Sequence, residues 1–346
     1  MTAPPPVRSS DDLAETLVVG AGVLGLCVAA ELTRRGWDVQ VLDAGGANAS
    51  AVAAGMIAPA LESAVENVSA ERAALLRRAA DLWPEFAAAV GISLHREGAV
   101  WLGEGVEEIS DRLDDLGFKA VRRGDRLVVD GESRVEAEPA LAALKARLRH
   151  PVRIGRVLSI DRADDGWRVA HSDGQVLARR LVLATGAAAA VPGTPEEVAR
   201  RIAAIQPIGG MTGRIERAFD AGVVRGRGAY AATGPGGTIL GATMAFGDRD
   251  PVAGGPDGEA LVQALRAFSG VQIASDQVDW RAGVRGATAD GLPLAGAVET
   301  PDLFLALAPR RNGWLLGPLV GRVVADAIEG RAPSLDAAPF DPLRAL

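Results

Sequence analysis

The 346-residue sequence is poor in the side chains that most often carry catalysis or cross-links. It has a single cysteine, Cys27, so no disulfide can form within the chain. Its three histidines, His95, His150 and His171, lack the spacing of metal ligands, and no metal site is predicted. Tyrosine also occurs once, at Tyr230. No uncharged apolar run reaches the roughly 18 residues of a membrane span.

Other absences exclude further classes. The net charge of −7 gives no reason to expect binding to nucleic acid or to an anionic membrane. There is no Gly-x-Ser-x-Gly elbow and no Walker loop. Residues 1–15 are rich in proline and then acidic, without the basic start and apolar run of a secretion signal. They predict a disordered lead to a soluble, cytoplasmic protein.

What the sequence does contain is a glycine-rich segment between two apolar stretches, from Thr16 to Asp43. A strand at Leu17–Val19 leads into a Gly-x-Gly-x-x-Gly turn, a helix of small residues runs to about Arg35, and a strand at Val39–Leu42 ends on the acid. In such a turn Gly20 allows a sharp bend, Gly22 lets the backbone approach a pyrophosphate, and Gly25 lets helix and strand pack closely. Asp43 is placed to bind ribose hydroxyls. The segment therefore predicts a dinucleotide site.

The small-residue loop Gly45–Pro59 follows the acid directly. Its composition fits either a flexible linker or backbone that lies against a flat ligand, and its position favours the ligand. Further along, an apolar strand from Arg180 ends in a turn at Thr185 and Gly186. A parallel strand presents its carboxyl edge to a ligand in this way.

Periodicity predicts the remaining elements. The predicted helices are 70–90, 107–116, 139–149, 256–268 and 312–329. The predicted strands are 97–102, 126–130, 152–161, 167–172, 205–217, 228–244 as a hairpin, and 303–308. The predicted fold is α/β, with a Rossmann-like nucleotide domain that is discontinuous in sequence and an α+β, mainly antiparallel substrate domain. The expected boundaries are 16–80, 150–190 and 281–335 for the first domain, and 81–149 and 191–280 for the second.

The last third of the chain carries two arginines in unusual settings. Arg285 lies in a glycine-rich stretch between apolar ones, where it suits either capture of a substrate carboxylate or an ordinary salt bridge. Arg311 precedes Asn312 and Gly313, at a strand-to-helix turn whose N–H groups would favour the negative end of a reduced flavin ring. A surface charge is an equal alternative for Arg311. Cys27 is expected to be a small core residue.

Five segments together resemble the D-amino acid oxidase superfamily, and within it the glycine oxidases of the thiamine pathway. They are Gly20–Gly25, Ala53–Pro59, Leu240–Met244, Ala282–Gly296 and Arg311–Pro318. The resemblance implies non-covalently bound FAD, a small amino-acid substrate, dioxygen as a second substrate, and an oligomer. It places the cofactor against Val23, Leu24, Asp43, Ala44, Ala49, Ser50, Ala54, Gly55, Met56, Val157, Pro309, Arg310, Arg311, Asn312, Gly313, Trp314 and Leu315.

The same resemblance implies that Arg285 binds the substrate carboxylate while Tyr230 and Arg311 align the substrate, although Tyr230 also fits a core aromatic. The expected reaction is oxidation of glycine or another small amine-bearing acid to its imine, with hydrogen peroxide as second product and thiazole synthesis as the use of the imine. Alternatives are oxidation of sarcosine, a D-amino acid or an N-carboxymethyl compound, a non-catalytic flavin protein, and a nicotinamide dehydrogenase. Two features depart from the family pattern: Ala308-Pro309 replaces Gly-His, and the segment 116–126 is short, which would remove a helix at the pocket wall.

Overall fold

The computed structural model describes residues 13–46, 48–216, 219, 222–332 and 337–345. Its strands and helices are numbered here in chain order. The first strand begins at Leu13, which pairs with Leu177, so the disordered lead predicted for residues 1–15 is wrong for residues 13–15. The rest of that lead lies outside the described residues.

Within the described residues the first sheet has eight strands, with order β18-β19-β11-β1-β2-β8 and with β10 and β9 added beside β11. The strands are β1 Leu13–Val19, β2 Val39–Asp43, β8 Arg153–Ile154, β9 Val157–Ala163, β10 Gly166–His171, β11 Gly174–Leu183, β18 Leu294–Ala297 and β19 Leu303–Leu307. Pairing of β1 with β2 and β11, and of β11 with β19, is parallel. The carboxyl ends of these strands therefore meet at one edge, where the predicted glycine turns follow them.

The second sheet has nine strands, with order β16-β12-β15-β14-β13-β4-β6-β5 and with β17 paired to β12. They are β4 Ala99–Leu102, β5 Val121–Arg123, β6 Arg126–Val129, β12 Gln206–Ile215, β13 Gly222–Gly226, β14 Ala229–Gly234, β15 Gly237–Gly241, β16 Ala245–Phe246 and β17 Asp279–Ala287. Apart from the parallel pair β13–β4, the pairing is antiparallel. A two-stranded ladder joins β3 Met56–Ile57 to β7 Ser133–Arg134. The predicted combination of a Rossmann-like sheet and a mainly antiparallel one is confirmed.

The described residues form ten α-helices that pack on these sheets. They are α1 Val23–Arg34, α2 Ala49–Val52, α3 Pro59–Val65, α4 Ala70–Asp81, α5 Trp83–Val90, α6 Val106–Asp115, α7 Ala137–Ala146, α8 Glu196–Ala203, α9 Gly255–Ser269 and α10 Gly313–Ile328. None of the helices in the described part of the chain combines the length and the apolar character that crossing a bilayer would need.

The hydrophobic core that packs against the first sheet, called here the nucleotide-side core, is centred on the contact of α1 with α10. A Cβ atom added at Gly317 would lie 2.9 Å from Cys27 Sγ, and one added at Gly321 would lie 2.8 Å from the Cys27 carbonyl oxygen. Glycines thus let the two helices approach closely, and burial raises the pKa of the Cys27 thiol. The expectation that Cys27 is a core residue is confirmed.

Several boundaries differ from the sequence predictions. The helix predicted at 70–90 is two helices, because Pro84 lies in the first turn of α5 and cannot donate to a preceding turn. Helices α5 and α7, assigned to the substrate domain, pack into the nucleotide-side core. Strand β17, assigned mostly to the nucleotide domain, pairs along its whole length with β12 of the second sheet.

Candidate functional site

The glycine turn after β1 leaves the start of α1 facing an open cleft. The Ala21 N–H donates to Asp43 Oδ2 at 2.6 Å, and the Val23 N–H donates to Ser50 Oγ at 3.0 Å. Gly22 is the N-cap of α1 and has no side chain to cap it, so Ser50 occupies the N–H of Val23 and leaves those of the next residues facing the cleft. The positive end of the α1 dipole is therefore available to an anion beside Asp43 and Ser50.

The start of α10 approaches the same cleft from the other side. Ala308 and Arg310, which flank Pro309, have left-handed φ angles of 58° and 51°. The Arg310 N–H donates to the Gly286 carbonyl oxygen at 2.9 Å, which fixes this turn against β17. Asn312 forms the N-cap without a side-chain capping bond. Pro309 cannot donate a hydrogen bond, so donors at this end come from the residues that follow it.

The narrow cleft between the two helix starts has a volume of about 100 Å³. Predicted cofactor residues that line it are Gly22, Val23, Leu24, Ala49, Ser50, Gly186, Pro309, Arg310, Arg311, Gly313 and Trp314. It shares Ala53, Arg285, Arg311 and Trp314 with a second cavity of about 640 Å³. The two spaces therefore adjoin, and the sequence-predicted residues of both come together.

The larger cavity lies between the second sheet, α3 and α6. Its lining includes the predicted substrate residues Tyr230, Arg285 and Arg311, and the predicted cofactor residues Ala54, Met56 and Asn312. Several residues of α6, among them Ile109 and Asp111, form its outer wall. Although the segment 116–126 is short, this wall of the cavity is therefore closed by a helix.

Arg285 is half-buried at the inner end of the cavity. Its Nη1 donates to the Thr243 carbonyl oxygen at 3.4 Å, and no carboxylate of the described residues lies within ion-pair distance. Burial lowers the pKa of Arg285, against the opposing influence of Tyr230. A Cβ atom at Gly210 would lie 2.4 Å from Arg285 Nη1, so a glycine leaves room for this guanidinium.

Arg311, in contrast, is held by two glutamates of α3 and its end. Its Nε lies 2.9 Å from Glu62 Oε2, and its Nη1 lies 2.8 Å from Glu66 Oε1. The Glu62 charge raises the pKa of Arg311 above its usual value. Arg311 lines both spaces and is ion-paired inside them. It is therefore not a surface charge, which the sequence had left as an equal alternative.

Glu62 also binds a second arginine, Arg225. Arg225 Nη2 lies 2.9 Å from Glu62 Oε1, and both side chains are buried. Burial alone would raise the pKa of Glu62, but the positive charges of Arg311 and Arg225 outweigh it and hold that pKa below its usual value. One buried carboxylate therefore links two arginines of the cavity wall.

Tyr230 is buried on β14, directly opposite Arg225 on β13. A Cβ atom at Gly241 would lie 2.1 Å from the Tyr230 hydroxyl, so the tyrosine lies over a glycine of the neighbouring strand. Burial raises the pKa of Tyr230, which keeps its hydroxyl protonated and able to donate.

The remaining predicted residues lie outside the linings of these two spaces. Gly20 and Gly25 shape the turn, and Asp43 accepts from the N–H groups of Ala21 and Gly45. The others are Ala44, which is exposed, Gly55 and Leu315, which are buried, and Val157 and Thr185, which are half-buried. For these residues the proposed cofactor contacts stay predictions.

The sequence interpretation missed Glu62, Glu66, Arg225 and Glu132. For the first two a signal existed. Pro59 follows a loop and suits the first position of a helix, and Glu62 and Glu66 are four residues apart, which places both on one helix face. Arg225 and Glu132 lie on short segments without a motif, and only the tertiary fold brings them to α3.

Comparison with known proteins gives a family match over nearly the whole chain. The family model DAO, described as FAD dependent oxidoreductase, matches residues 15–153 and 140–327. The glycine oxidase of Geobacillus kaustophilus is 27% identical over 94% of this chain and 96% of that protein. Its crystal structure superposes with a TM-score of 0.78 at 25% identity, covering 96% of this chain and 99% of that one.

Two other relatives have names that indicate different functions. The tRNA 5-methylaminomethyl-2-thiouridine biosynthesis bifunctional protein MnmC of Maricaulis maris is 30% identical over 92% of this chain but only 52% of its own length, so this chain spans about half of that protein. The crystal structure of iminodiacetate oxidase from Chelativorans sp. BNC1 has a TM-score of 0.76 at 20% identity, covering 94% and 98% of the two chains, and shows a shared fold.

The residues present fit FAD. Two helix N-termini whose N-cap residues make no capping bond face one cleft, glycines line its walls, and a larger cavity adjoins it. A pyrophosphate fits at the start of α1, and the electron-rich end of a flavin ring fits at the start of α10. Cys27 is buried in the core, and so is not available as a covalent attachment point.

Gly25→Ala tests the cofactor cleft. A Cβ atom at Gly25 would lie 2.0 Å from the Gly20 carbonyl oxygen, so the turn must move. Although alanine is the better helix former, we expect FAD affinity to fall by about 100-fold and stability by roughly 1–3 kcal/mol. Absorbance of the protein-bound flavin after gel filtration measures the first effect. Gly131→Ala, whose added Cβ meets nothing within 4 Å, is the control. Equal flavin content in both variants would contradict the assignment.

Proposed function

The chain belongs to the DAO family of FAD-dependent oxidoreductases, and we propose that within it the protein oxidises glycine or another small amine-bearing acid to the imine, which water converts to the oxo acid and ammonia. The observation that carries this proposal is Arg285. A cation that is partly removed from water without a counter-ion is costly, and its retention in a cavity favours an anion taken from solution.

Arg285 would bind the substrate carboxylate through two parallel N–H donors, which fixes both position and orientation. Tyr230 would donate its hydroxyl to the same carboxylate. Arg311 has two carboxylate partners already, so its role would be to hold the wall and the α10 turn in place. This differs from the sequence hypothesis of direct alignment of the substrate by Arg311.

When bound, FAD would take up the hydride that leaves Cα, which carries two electrons and one proton; with the second proton, released from the amine nitrogen, these would reduce dioxygen to hydrogen peroxide. The contribution of the chain is to position the Cα–H bond and to keep water away from it. Histidine is absent from the described lining of the cavity. A neutral amine with a free lone pair needs no side-chain base, so this absence is no obstacle.

The size of the cavity favours a second candidate within the same reaction class. The cavity of about 640 Å³ would hold part of the flavin ring beside Ala54, Met56 and Asn312, and it extends further, to residues of α6. Sarcosine, a D-amino acid or an N-carboxymethyl amine would occupy more of the space toward α6. The similarity to glycine oxidases also supports a role in supplying thiazole synthesis, as part of the same proposal.

Anaerobic reduction tests the proposal. The purified yellow protein is mixed with glycine, sarcosine, D-alanine or iminodiacetate, and the flavin band at about 450 nm is followed. We expect bleaching by at least one of these acids and none by methylamine, which lacks the carboxylate. The order of kcat/KM values decides between glycine and the larger substrates. A protein that binds FAD and is reduced by none of them would contradict amine oxidation.

A further inference from the structure

A line of buried charges leads from the cavity to a carboxylate behind its wall, Glu132. Glu132 is 2% exposed, and its Oε1 accepts from the Ala60 and Leu61 N–H groups at 2.9 and 3.0 Å. Its Oε2 is buried and has no hydrogen-bond partner among the described residues. The first turn of α3 thus holds one oxygen of Glu132 and leaves the other oxygen unused.

Arg225 has a buried hydrogen-bond donor without a partner, as Glu132 has an acceptor without one. It is 3% exposed, its Nη2 is paired with Glu62, and its Nη1 is buried without a partner in the described part of the chain. The charge of Arg225 also acts on Glu132 and stabilises its ionised form. An unpaired donor and an unpaired acceptor of opposite charge therefore lie within electrostatic reach of each other.

The net charge of the ion-paired residues and Glu132 together depends on whether Glu132 is ionised. The ion-paired group at this wall consists of Arg225, Arg310 and Arg311 with Glu62 and Glu66, which leaves one positive charge in excess within the group. When Glu132 is ionised the excess is cancelled, and when Glu132 is protonated it remains. The wall that adjoins Arg285 thus has two charge states. They differ in the protonation of Glu132, which does not itself line the cavity.

We infer that Glu132 is a positioning residue which, through Arg225 and Glu62, sets how strongly the cavity binds the carboxylate of its substrate. With Glu132 protonated, Arg225 depends on Glu62 alone, less negative charge remains for Arg311, and an entering anion meets a more positive wall. With Glu132 ionised, its charge adds to that of Glu62 in balancing Arg225, and the excess positive charge of the ion-paired group is cancelled. The inference depends on the proposed function only in taking an organic carboxylate as the ligand.

The groups that act on Glu132 come from two elements packed against it. Burial raises the pKa of Glu132 to about 7, the N–H groups of Leu61 and Ala60 and the charge of Arg225 oppose that rise, and the charge of Glu62 adds to it. The charge of the wall therefore changes near neutral pH. Because an anion binds better to the protonated state, its affinity must fall as the pH rises through this value.

The experiment measures binding of acetate to the FAD-loaded protein, followed by perturbation of the flavin spectrum. Acetate has no amine, so it is not oxidised, and it stays ionised between about pH 6 and about pH 8.5. In the wild type we expect the Kd to rise about fivefold across this range, the size of effect of a unit charge screened by protein and water. In Glu132→Gln, which keeps the acceptor for Ala60 and Leu61, the Kd should be independent of pH and close to the low-pH value.

Two further variants complete the test. Arg225→Gln removes the charge that favours ionised Glu132, so the step should move to higher pH. Glu107→Gln changes an exposed glutamate of α6 and should keep the wild-type profile. A wild-type Kd without pH dependence, or a dependence that persists in Glu132→Gln, would overturn the inference and leave amine oxidation untouched. If acetate failed to bind at any pH, both the inference and the role of Arg285 as anchor would be wrong.

Discussion

Replacing Arg285 with methionine should lower kcat/KM for the acid substrate by about 1000-fold while FAD stays bound. The side chain is the arginine at the inner end of the cavity that has no carboxylate partner among the described residues. Its loss removes the bidentate partner of the substrate carboxylate, so KM rises, and it frees the substrate to rotate, so kcat falls as well. Steady-state peroxide production and acetate binding measure the two effects.

The matched control is Arg281→Met on the same strand. Arg281 is paired with Glu138 and Asp279 at the surface, and its replacement should leave kcat/KM within about threefold of the wild type. Folding is checked by urea denaturation. Since Arg285 is a cation that burial disfavours, Arg285→Met should be at least as stable as the wild type. A variant that keeps the wild-type KM for glycine would show that Arg285 is not the anchor.

The nucleotide half of the site could be predicted because it is local in sequence. Strand β1, the turn at Gly20–Gly25, helix α1 and strand β2 follow one another within about thirty residues, and each has a pattern of its own. Steric crowding also explains why glycine is needed in this turn. A Cβ atom at Gly20, where φ is 113°, would lie 2.3 Å from the Ala184 carbonyl oxygen.

Two features of the fold that the sequence prediction lacked, helix α8 and the break between α4 and α5, are indicated by local residues. Helix α8 begins after Pro195 with two glutamates and buries Val198 and Ile202 on one face, which is the pattern of a short amphipathic helix. The break between α4 and α5 is marked by Pro84. In both cases the local residues contained the information.

The charge cluster behind the cavity could not be predicted in this way. Its members stand at positions 62, 132, 225 and 311, on four segments that only the tertiary fold brings together. An isolated glutamate or arginine in a sequence is most often a solvated surface residue. Whether Arg311 is an anchor or an ion-paired wall residue depends on Glu62 and Glu66, and therefore on where the fold places α3 relative to the turn before α10.

Glu62→Gln is expected to be the most destabilising isosteric change in this cluster, with a loss of about 3–5 kcal/mol near neutral pH. Glu62 is 5% exposed and serves two arginines, and its replacement leaves Arg225 with no described ion-pair partner. Urea denaturation of the FAD-free proteins measures the effect without a contribution from cofactor binding. Glu85→Gln, an exposed partner of Arg322, is the control and should change stability by less than about 0.5 kcal/mol.

The pH dependence gives this prediction a second test with a definite sign. The pKa of Glu62 in the folded protein is below its usual value, so its ion pairs contribute stability above the unfolded-state pKa and lose it as the pH falls toward the folded-state pKa. The stability difference between wild type and Glu62→Gln should therefore shrink on acidification. A difference under about 1 kcal/mol at neutral pH, or one that grows in acid, would mean that the two arginines find other counter-charges when Glu62 is neutral.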